Sequence, residues 1–568
     1  MKRLSIFCIY DADGIIDRYI AFILKELRLN SDELIVVCNM VNVQNGMELV
    51  KAYADSVFFR ENIGLDAGAF KDVITNLVGW NKIREYEEIV LMNDSLYGPF
   101  IPMKIIFERM DEKNVDFWGL LKCAEFEEKG VFYYEHIHSF FLAFRQTLTT
   151  SEVFKEYWNE MPYYYDYSEA VESYETKLTH FFSSKGYTYE VYADSKSNII
   201  EDRKNNYPQC SWIPYELITR RGFPFLKRHV FRMQPIELLQ KGSLGQLRSV
   251  FEYITYQTDY DIDLIWENII RHYDPQRLII LLNLIYLFND NLSEISNNSL
   301  LLISFGLSEQ LLEELNFINK YKSTIRISCF SELRDMNIDE YDSIGFLGYF
   351  DLAKSNDSVQ NRTVKAEVYR LNSNMSHSPE SLFEKNHHLG MMMIPVGRYD
   401  IRDYYCTSQL CGFWIRKTLL HVLWENRIEN IHDLMVCIRD EGLYSAVYEN
   451  SSYILSEVCE QQVRDKDSVL QILIDLAFLR THTDYLYVYG TGNIADIYHD
   501  YFYGVDGYVV SDGRNKKDIF HGKPVLYFSE VNEEYKTGIY VCLSRNNALQ
   551  IKPLIENKKN VIVKFFEE

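Results

Sequence analysis

RENIGLDAGAFKDVITNLVGWNKIREYEEIVLMNDSLYGP, residues 60–99, decides the fold of this chain: a glycine-punctuated loop, a helix and an apolar strand follow one another. The strand, Ile89–Met92, ends abruptly in Asn93-Asp94-Ser95. In open α/β sheets, ligands bind at the carboxyl ends of the strands. The stretch therefore predicts an α/β sheet with a ligand site at Asp94, where a carboxylate can hold a metal, or a diphosphate through a metal.

The pattern around this stretch extends the prediction to the whole first region of the chain. Apolar strands at Leu4–Ile9 and Glu33–Cys38 alternate with an amphipathic helix at Asp17–Leu27. Further on, Asp66–Val78 is predicted as a helix and His136–Phe144 as a buried strand. Alternating strands and helices predict a mostly parallel sheet with helices on both faces.

The rest of the chain is predicted to form three further regions. Residues 235–298 have a helical pattern, in which Leu278–Phe288 is predicted as a buried helix. A second α/β pattern begins near Leu300, and helices are predicted over Lys417–Phe478. The predicted domains are therefore 1–234, 235–298, 299–480 and 484–568, the last a small βαβ-type unit.

Bulk properties exclude several classes of protein. A chain of 568 residues is too long to fold around a single hydrophobic core, so several domains are expected. Its formal charge of -23 disfavours binding to nucleic acid. The 10 cysteines contain no CxxC pair, which disfavours a zinc site built on cysteine. Strand residues begin at Leu4 without a signal peptide, so a cytoplasmic location is expected.

Polar residues at other strand ends are candidates for ligand binding. Tyr10-Asp11 and Asn39 each follow a strand, and ordinary strand-to-loop polar residues are the alternative interpretation. A denser signal comes from the loop before the Asp66 helix, whose candidates are Arg60, Asn62, Gly64, Asp66 and Gly68. Glycines allow a phosphate to approach the backbone, and a helix start presents free N–H groups. Asp66 is equally compatible with a plain N-cap.

Two histidines and a glutamate form a looser signal. His136 and His138 flank Ile137, which places both imidazole rings on one face of a strand. Metal binding by this pair lacks a clear third ligand, and His138 either faces a substrate or is a satisfied core histidine. Glu175 stands alone on a predicted helix, which is usually the mark of a solvated surface residue.

The order and spacing of these blocks resemble the rhamnan synthesis protein F family of bacterial polysaccharide glycosyltransferases. The resemblance covers about residues 3–231. It rests on the blocks SIFCIYDADGIID, RENIGLDAGAFKDVI, EIVLMNDSLYGPF, DFWGL, HIHSFFLAF, ETKLTHFF and PYELITRRGFPFLKRHVF. It implies a glycosyltransferase-A-like fold and transfer of L-rhamnose from dTDP-L-rhamnose to cell-wall or O-antigen polysaccharide, with inversion.

The resemblance also implies roles for the candidate residues. Tyr10, Asp11 and Asn39 would line the nucleotide pocket, and Arg60, Asn62, Gly64, Asp66 and Gly68 would lie along the donor. Asn93-Asp94-Ser95 stands where related enzymes place a metal-binding acidic motif for Mg²⁺ or Mn²⁺, although a second aspartate is missing here. Glu175 would be the general base, and Lys227 and Arg228 would steady the departing diphosphate. His138 replaces a glutamine that is usual in the family, which would alter the choice of acceptor.

Two later segments carry weaker resemblances. YDSIGFLGYFDL and CGFWIRKTLLHVLW are similar to the C-terminal part of longer family members and indicate a degenerate second α/β domain, either glycan-binding or a second transferase. No second Asn-Asp-Ser follows, although Asp335 and Asp342 lie nearby. YLYVYGTGNIADIY, with Gly490, Gly492 and Asp512 further on, resembles small Rossmann-like domains that bind nucleotides.

The sequence therefore predicts a cytoplasmic glycosyltransferase, peripherally associated with the inner face of the cell membrane. Its expected partners are a nucleotide-sugar donor, a polysaccharide or lipid-linked glycan acceptor and other polysaccharide-assembly enzymes. Two alternatives remain open. One is a non-catalytic polysaccharide-binding scaffold, and the other is a sugar-nucleotide-modifying enzyme that uses the C-terminal domain.

Overall fold

The structure is a computed structural model, and its chain divides into two units. Unit 1 comprises Met1–Met233 and Ser249–Asn268, and unit 2 comprises Gln234–Arg248 and Ile269–Glu568. The described residues are 1–123, 125–128, 131–194, 211, 213–233, 238, 246–288, 300–305, 323–338, 341, 343–349, 379–394, 410–450, 472, 475–476, 478–480, 482–499, 502, 504–514, 516–543 and 545–566.

Unit 1 is built on one large, mostly parallel sheet. Its strands are β1 (Arg3–Ile9), β2 (Glu33–Cys38), β3 (Ser56–Phe59), β4 (Glu88–Asn93), β5 (Leu96–Tyr97), β6 (Phe117–Cys123), β7 (Phe126–Glu128), β8 (Val131–Tyr133), β9 (His136–Ile137), β10 (Phe141–Arg145), β11 (Tyr189–Asp194) and β12 (Leu226–Lys227). The order across the large sheet is β11-β6-β10-β4-β1-β2-β3, and β9 pairs with β6. Only β10 runs antiparallel to both of its neighbours in this path.

Helices pack against the faces of this sheet. They are α1 (Arg18–Leu29), α2 (Met47–Lys51), α3 (Leu65–Asp72), α4 (Trp80–Ile83), α5 (Met103–Asp111), α6 (Gln146–Thr149), α7 (Glu152–Glu160), α8 (Tyr167–Ala170), α9 (Thr176–Ser184), α10 (Pro214–Thr219), α11 (Gln246–Gln257) and α12 (Asp263–His272). Two π-helical turns, Val73–Leu77 and Val171–Glu175, follow α3 and α8, and a 3-10 turn covers Arg228–Arg232. The last two helices lie partly in each unit.

Continuous apolar runs explain why the central strands form. Every residue of β1, RLSIFCI, is buried, as expected of a parallel strand that is covered on both faces. Its α1 neighbour is amphipathic, and it buries Tyr19, Ile23 and Leu27, which recur at helical spacing along one face. The predicted mixed α/β fold with parallel sheets is confirmed.

A buried ion-pair cluster holds the end of this sheet opposite to the carboxyl ends of its parallel strands. Glu88 begins β4 with no exposed surface, and it pairs with Arg3 and Arg145 on the neighbouring strands. The indole of Trp118 donates a third bond to Glu88, over 2.8 Å. Because a buried charge is tolerated only when it is paired and hydrogen-bonded, this cluster is structural.

Unit 2 contains a seven-stranded sheet. Its strands are β13 (Ile285–Phe288), β14 (Leu300–Phe305), β15 (Ser323–Ile327), β16 (Ser343–Tyr349), β17 (Leu389–Ile394), β18 (Leu410–Ile415) and β19 (Tyr444–Asn450), in the order β13-β19-β17-β18-β16-β14-β15. Its helices are α13 (Pro275–Leu282), α14 (Pro379–Lys385), α15 (Val422–Glu425) and α16 (Ile431–Asp440), with 3-10 turns at Phe330–Asp335 and Lys417–Leu419. Again a single strand, β18, is antiparallel to both neighbours.

The C-terminal part of unit 2 forms a six-stranded sheet. Its strands are β20 (Tyr485–Tyr489), β21 (Gly507–Val510), β22 (Ile519–Phe520), β23 (Lys523–Tyr527), β24 (Thr537–Val541) and β25 (Val561–Phe565), in the order β22-β23-β21-β20-β24-β25. The helices α17 (Asn493–Tyr498) and α18 (Arg545–Glu556) and a 3-10 turn at Phe528–Glu530 connect them. Except for β22, neighbouring strands are parallel, as expected of a Rossmann-like unit.

Three predicted elements differ in the structure. The predicted helix Leu278–Phe288 ends at Leu282, because Asn283 adopts a left-handed conformation with φ 48°, and β13 follows it. The predicted helical stretch Lys417–Phe478 contains β19, which enters the sheet after Gly442 at φ 77°. The predicted strand His136–Phe144 is two strands separated by a turn.

Long apolar helices are missing from the described part of the chain. Over those residues, no helix combines the length and the apolar character that crossing a bilayer would require.

Candidate active site

An open cavity of about 200 Å³ lies in unit 1 at the carboxyl ends of β1 and β4. It brings together eight of the residues that the sequence singled out: Tyr10, Asp66, Asn93, Asp94, Ser95, Glu175, Lys227 and Arg228. The other polar or aromatic residues that line it include Ser139, Tyr167, Tyr174, His229 and Arg232. These eight residues come from five distant stretches of sequence, which converge on one end of the sheet.

Asp94 is paired with a cation. Nη1 of Arg228 donates to Asp94 Oδ2 over 2.9 Å and to the Asp94 backbone carbonyl over the same distance. Both side chains are largely buried, with 17% and 11% of their surface exposed. Burial raises the pKa of Asp94, and the charge of Arg228 opposes that rise without cancelling it. Tyr19 on α1 completes the group, because its hydroxyl donates to the Asp94 carbonyl and accepts from Arg228.

The second positively charged side chain, Lys227, lies on a two-stranded antiparallel ribbon formed by β5 and β12. β12 pairs with β5, which places Lys227 opposite Leu96, directly after the Asn93-Asp94-Ser95 turn. Nζ of Lys227 donates to Ser95 Oγ over 3.0 Å and lies 4.5 Å from the centre of the Phe140 ring. Two adjacent residues, Lys227 and Arg228, thus place positive charge beside the end of β4.

Asn93 links the strand end to the start of α3. Its Nδ2 donates to Asp66 Oδ2 over 2.6 Å, and its Oδ1 accepts from the Ser95 hydroxyl over the same distance. Burial raises the pKa of Asp66, although the bond from Asn93 works in the opposite direction. Asp66 is therefore a polar group that faces the cavity, in addition to lying in the first turn of its helix.

Glu175 ends the π-helical turn before α9 and faces the same cavity. Its Oε2 accepts from the Ser139 N–H over 2.9 Å and from the Ser139 hydroxyl, and its Oε1 lies 3.3 Å from His138 Nδ1. Burial would raise the pKa of Glu175, but the hydrogen bond and charge of His138 outweigh it, and the pKa is well below its usual range. One helical turn later, Thr179 accepts the Ile137 N–H over 2.9 Å, which fixes α9 against β9.

His136 begins β9 and His138 follows that strand, with their ring centres 5.8 Å apart. Ile137 between them packs into the space that Gly119 leaves, where an added Cβ would come within 2.1 Å of Ile137. His136 is almost fully buried, and its Nδ1 lies 2.7 Å from the Tyr134 carbonyl. Burial lowers the pKa of His136. The third ligand that the sequence lacked is present, because one ring nitrogen of each histidine and a carboxylate oxygen of Glu175 lie within 4.8 Å of one another.

The remaining predicted donor residues form a hydrogen-bonded network behind the cavity. Asn39, which is buried, accepts from Arg60 and donates to Asn62, and Arg60 also pairs with Asp72. Asp11 accepts from the backbone N–H groups of Asp13 and Ile15, as in an Asx turn. These four residues do not line the cavity, and their contact with a donor stays a prediction.

The two glycines of the same loop meet a packing requirement. Gly64 adopts φ +76°, and an added Cβ would lie 2.7 Å from Tyr163. At Gly68, an added Cβ would lie 2.4 Å from the Ile63 carbonyl oxygen. Both positions need glycine for the loop to enter α3, and neither lines the cavity, so their place along the donor also stays a prediction.

Asp94, the predicted metal ligand, already has a cationic partner in the structure. Arg228 already occupies its carboxylate oxygen, and the Tyr10 N–H donates to the same carboxylate. Within the described residues, Asp94 belongs to no group of three close His, Cys, Asp or Glu ligands. Magnesium is usually held by one or two carboxylates and the phosphates of a substrate rather than by a protein cage, so binding of the predicted Mg²⁺ or Mn²⁺ ion at Asp94 stays a prediction.

The predicted nucleotide residues of the C-terminal sheet have local partners. Gly490 ends β20 at φ +118°, where an added Cβ would lie 2.8 Å from the Cys542 carbonyl oxygen. No atom would lie within 4 Å of a Cβ at Gly492. Asp512 accepts from the backbone N–H and the hydroxyl of Ser529, over 3.1 and 2.6 Å. Nucleotide binding by these residues stays a prediction.

Sequence reasoning missed several residues of the site. Tyr19 gives no signal, because it is one more apolar position of an amphipathic helix. Ser139 follows the HIH motif directly and was a detectable candidate for contact with Glu175. Tyr167, which is 65% exposed, also lines the cavity and was not predicted.

Comparisons with known proteins agree with the motifs. The family model described as rhamnan synthesis protein F matches residues 34–328, slightly more than half of the chain. An uncharacterized protein, y4gN, from Sinorhizobium fredii is 24% identical over 185 residues, which are 32% of this chain and 46% of that protein. The chain thus spans less than half the length of that relative.

Two further similarities are more remote. The virulence protein VirA of Vibrio anguillarum is 24% identical over 264 residues, covering 41% of this chain and 81% of that protein. The crystal structure of the glycosyltransferase GlyE from Streptococcus pneumoniae aligns with 94% of this chain and 97% of its own, at 12% identity and a TM-score of 0.23. That score is too low to support an argument.

Proposed function

Because the chain belongs to the rhamnan synthesis protein F family, we propose that it is a glycosyltransferase that moves a deoxyhexose from a nucleotide diphosphate to a cell-surface glycan. The donor that we propose is dTDP-L-rhamnose, and the acceptor is a polysaccharide or a lipid-linked glycan. The observation that carries the proposal is the cavity in which Glu175 faces the Asp94–Arg228 pair and Lys227.

The cationic side of the cavity suits the leaving group. A departing nucleoside diphosphate carries negative charge, and stabilising that charge usually contributes more to the rate of such a reaction than any other single effect. Lys227 and Arg228 supply two positive charges beside the end of β4, and Asp94 and Ser95 hold both side chains in place. In this proposal Asp94 acts through Arg228, which it orients, rather than by binding a metal.

The opposite side of the cavity suits the acceptor. Glu175 faces the cavity, and an ionised carboxylate in that position can accept a proton. We propose that Glu175 takes the proton of the acceptor hydroxyl while that oxygen bonds to the anomeric carbon. The bond from this carbon to the diphosphate breaks in the same step, the nucleoside diphosphate leaves with the electron pair, and the anomeric configuration inverts. A positioned base contributes about 10²–10⁴-fold.

The neighbours of Glu175 have positioning roles in this scheme. Ser139 holds Oε2 with two hydrogen bonds, and His138 lies against Oε1. The cavity, at about 200 Å³, is smaller than the about 300–1,000 Å³ of pockets that enclose a whole small ligand. We therefore infer that it takes the diphosphate and the sugar, and that the nucleoside extends towards Tyr10.

A donor panel tests the proposal. The full chain is incubated with dTDP-L-rhamnose, other dTDP-sugars and UDP- and GDP-sugars, with and without a chelator, and release of the nucleoside diphosphate is measured. The proposal expects release from dTDP-L-rhamnose above all others and little effect of the chelator. Release from none of the donors, with or without a glycan acceptor, would refute a transferase and favour a non-catalytic scaffold.

A further inference from the structure

Beside the proposed transfer site, an unassigned group of side chains has the composition of a metal centre. Two histidine nitrogens and one carboxylate oxygen, from His136, His138 and Glu175, lie within 4.8 Å of one another. Three protein ligands of these types, with a fourth position open, are the donor set of many zinc sites. Imidazole nitrogen selects zinc and its neighbours among the divalent metals over magnesium, which prefers oxygen ligands.

One of the three ligand separations matches that of a tetrahedral ion, and all three lie within 4.8 Å. His138 Nδ1 and Glu175 Oε1 are 3.3 Å apart. A zinc ion with bonds of about 2.0–2.2 Å separates two tetrahedral ligand atoms by about 3.3–3.6 Å. The same distance also suits a hydrogen bond from a protonated His138, so a proton and a metal ion are alternative occupants of this gap.

The orientation of His136 is an independent sign. This residue is only 3% exposed, and its Nδ1 lies 2.7 Å from the Tyr134 carbonyl oxygen, which can only accept. Nδ1 therefore carries the proton, and Nε2 keeps its lone pair. Histidines that bind metal typically donate their other ring N–H to a carbonyl or carboxylate in this way.

The surrounding backbone holds the three ligands in place. Glu175 and Thr179 lie one helical turn apart, and both contact the 137–139 segment, through the Ile137 and Ser139 N–H groups. Ser139 also holds Glu175 Oε2, which leaves Oε1 for a metal ion. The ligands thus come from two elements that are already bonded to each other.

We propose that His136, His138 and Glu175 bind one divalent cation of the zinc class. The cation displaces the proton between His138 and Glu175 and takes Oε1. Cation binding and proton acceptance by Glu175 are therefore alternative states of the same oxygen. The site itself does not depend on the proposed function, since binding is measured without a sugar nucleotide.

The test uses the untagged full chain, stripped with a chelator and titrated calorimetrically with zinc chloride. We expect one tight zinc ion per chain, no comparable magnesium binding, and at least tenfold weaker zinc binding in Glu175→Gln and His138→Gln. Both substitutions keep the size of a partly buried side chain, and circular dichroism checks that the variants are folded. His180→Gln is the matched control, because His180 is an exposed histidine that stacks on Tyr134 nearby.

Cobalt provides a second readout of the ligands themselves. Co²⁺ in a nitrogen- and oxygen-ligated tetrahedral site gives visible absorption bands, which we expect in the wild type and in His180→Gln but not in His138→Gln. The proposal is overturned if zinc binds no more tightly to the wild type than to Glu175→Gln and His138→Gln. Magnesium binding of equal affinity, or an equal loss in His180→Gln, would overturn it as well.

Discussion

The eight-stranded sheet of unit 1 and the seven-stranded sheet of unit 2 share one topology over six of their strands. From β2 to β11 the first runs β2-β1-β4-β10-β6-β11, and from β15 to β19 the second runs β15-β14-β16-β18-β17-β19. The six strands follow one another along the chain in the same succession, and the fourth strand of each path is antiparallel to both neighbours. Such agreement in order and direction indicates that the second sheet repeats the fold of the first.

A short sequence match supports the equivalence. FLAFRQTL, which contains β10, corresponds to GFWIRKTL, which begins within β18. The arginines of these two segments have the same role: Arg145 donates to the Met110 carbonyl at the end of α5, and Arg416 donates to the Asn386 carbonyl just after α14. Structural residues are therefore retained in both sheets.

The residues of the candidate site are not retained. Counted from the first residue of β4 and β16, Asn93 corresponds to Gly348 and Asp94 to Tyr349. Val191 of β11 pairs with Gly119, and Val447 of β19 pairs with Met393, so the two valines occupy equivalent positions. The same number of residues before each valine lie Glu175 in the first region and Ile431 in the second. Ile431 is buried and apolar. The comparison teaches that the fold alone does not supply the chemistry, and it places the proposed catalysis in unit 1.

The largest effect is expected from replacing Asp94, the acidic residue that the first sheet has and the second sheet lacks at the equivalent position. Asp94→Asn leaves Arg228 without its counter-charge, so we expect a loss of transfer of about 10²–10³-fold and a loss of stability of about 1–3 kcal/mol. Initial rates are measured below the melting temperature of the variant. The matched control is Tyr349→Phe at the equivalent position, which should transfer at the wild-type rate. Comparable losses in both variants would place chemistry in both sheets.

The second substitution concerns the base. Glu175→Gln is nearly isosteric but cannot accept a proton, so we expect kcat to fall about 10²-fold or more while KM for the donor changes little. Glu172→Gln, on the same π-helical turn but exposed to solvent, is the control and should leave kcat unchanged. A normal kcat in Glu175→Gln would remove Glu175 from the mechanism and point towards Asp66.

A smaller effect is expected at the ribbon. Lys227→Ala removes one of two charges beside the diphosphate, and we expect the donor to bind about tenfold more weakly, with a reduced dependence on salt. Lys185→Ala is the control, since Lys185 lies 5.1 Å from the centre of the Phe181 ring and does not line the cavity. An equal change in both variants would argue against a specific contact between Lys227 and the donor.

The smallest effect separates stability from chemistry. Asp116 accepts from Thr147, from the Thr188 hydroxyl and from the Thr188 N–H; burial alone would raise its pKa, but these bonds outweigh burial and lower it. A lowered pKa means that the stabilisation is present above the unfolded value of about 3.9 and is lost as the pH falls through the folded value. We expect Asp116→Asn to lower the melting temperature by a few degrees at neutral pH, and the difference to shrink as the pH falls below about 3.9. A difference that does not change with pH would contradict this origin.

Much of the first sheet could be predicted from the sequence because its signals are local. β1, β2 and β4 are continuous apolar runs, and the polar turn after β4 marks the ligand-binding edge. The prediction of one continuous helix over Leu278–Phe288 was wrong, because a single left-handed residue, Asn283, ends the helix inside an apolar run. β19 was missed for a related reason, since its pairing partner, β17, lies far away in the sequence.

The candidate site was predictable residue by residue but not in its pairing. No sequence pattern near Asp94 predicts its contact with Arg228. The pairing of β12 with β5 brings Arg228 to Asp94. Likewise, Glu175 joins the two histidines only because α9 packs on β9. Contacts of this kind depend on tertiary packing, which neither periodicity nor motif spacing records.

The most direct test of the central claim is a footprint of the donor on the full chain by hydrogen–deuterium exchange. We predict that dTDP-L-rhamnose slows exchange at residues 88–98 and 226–232, and leaves residues 343–349 and 410–416 of the second sheet unchanged. Thymidine diphosphate should reproduce most of this protection, since Lys227 and Arg228 are proposed to contact the diphosphate. Protection of the second sheet with none at residues 88–98 would contradict the account.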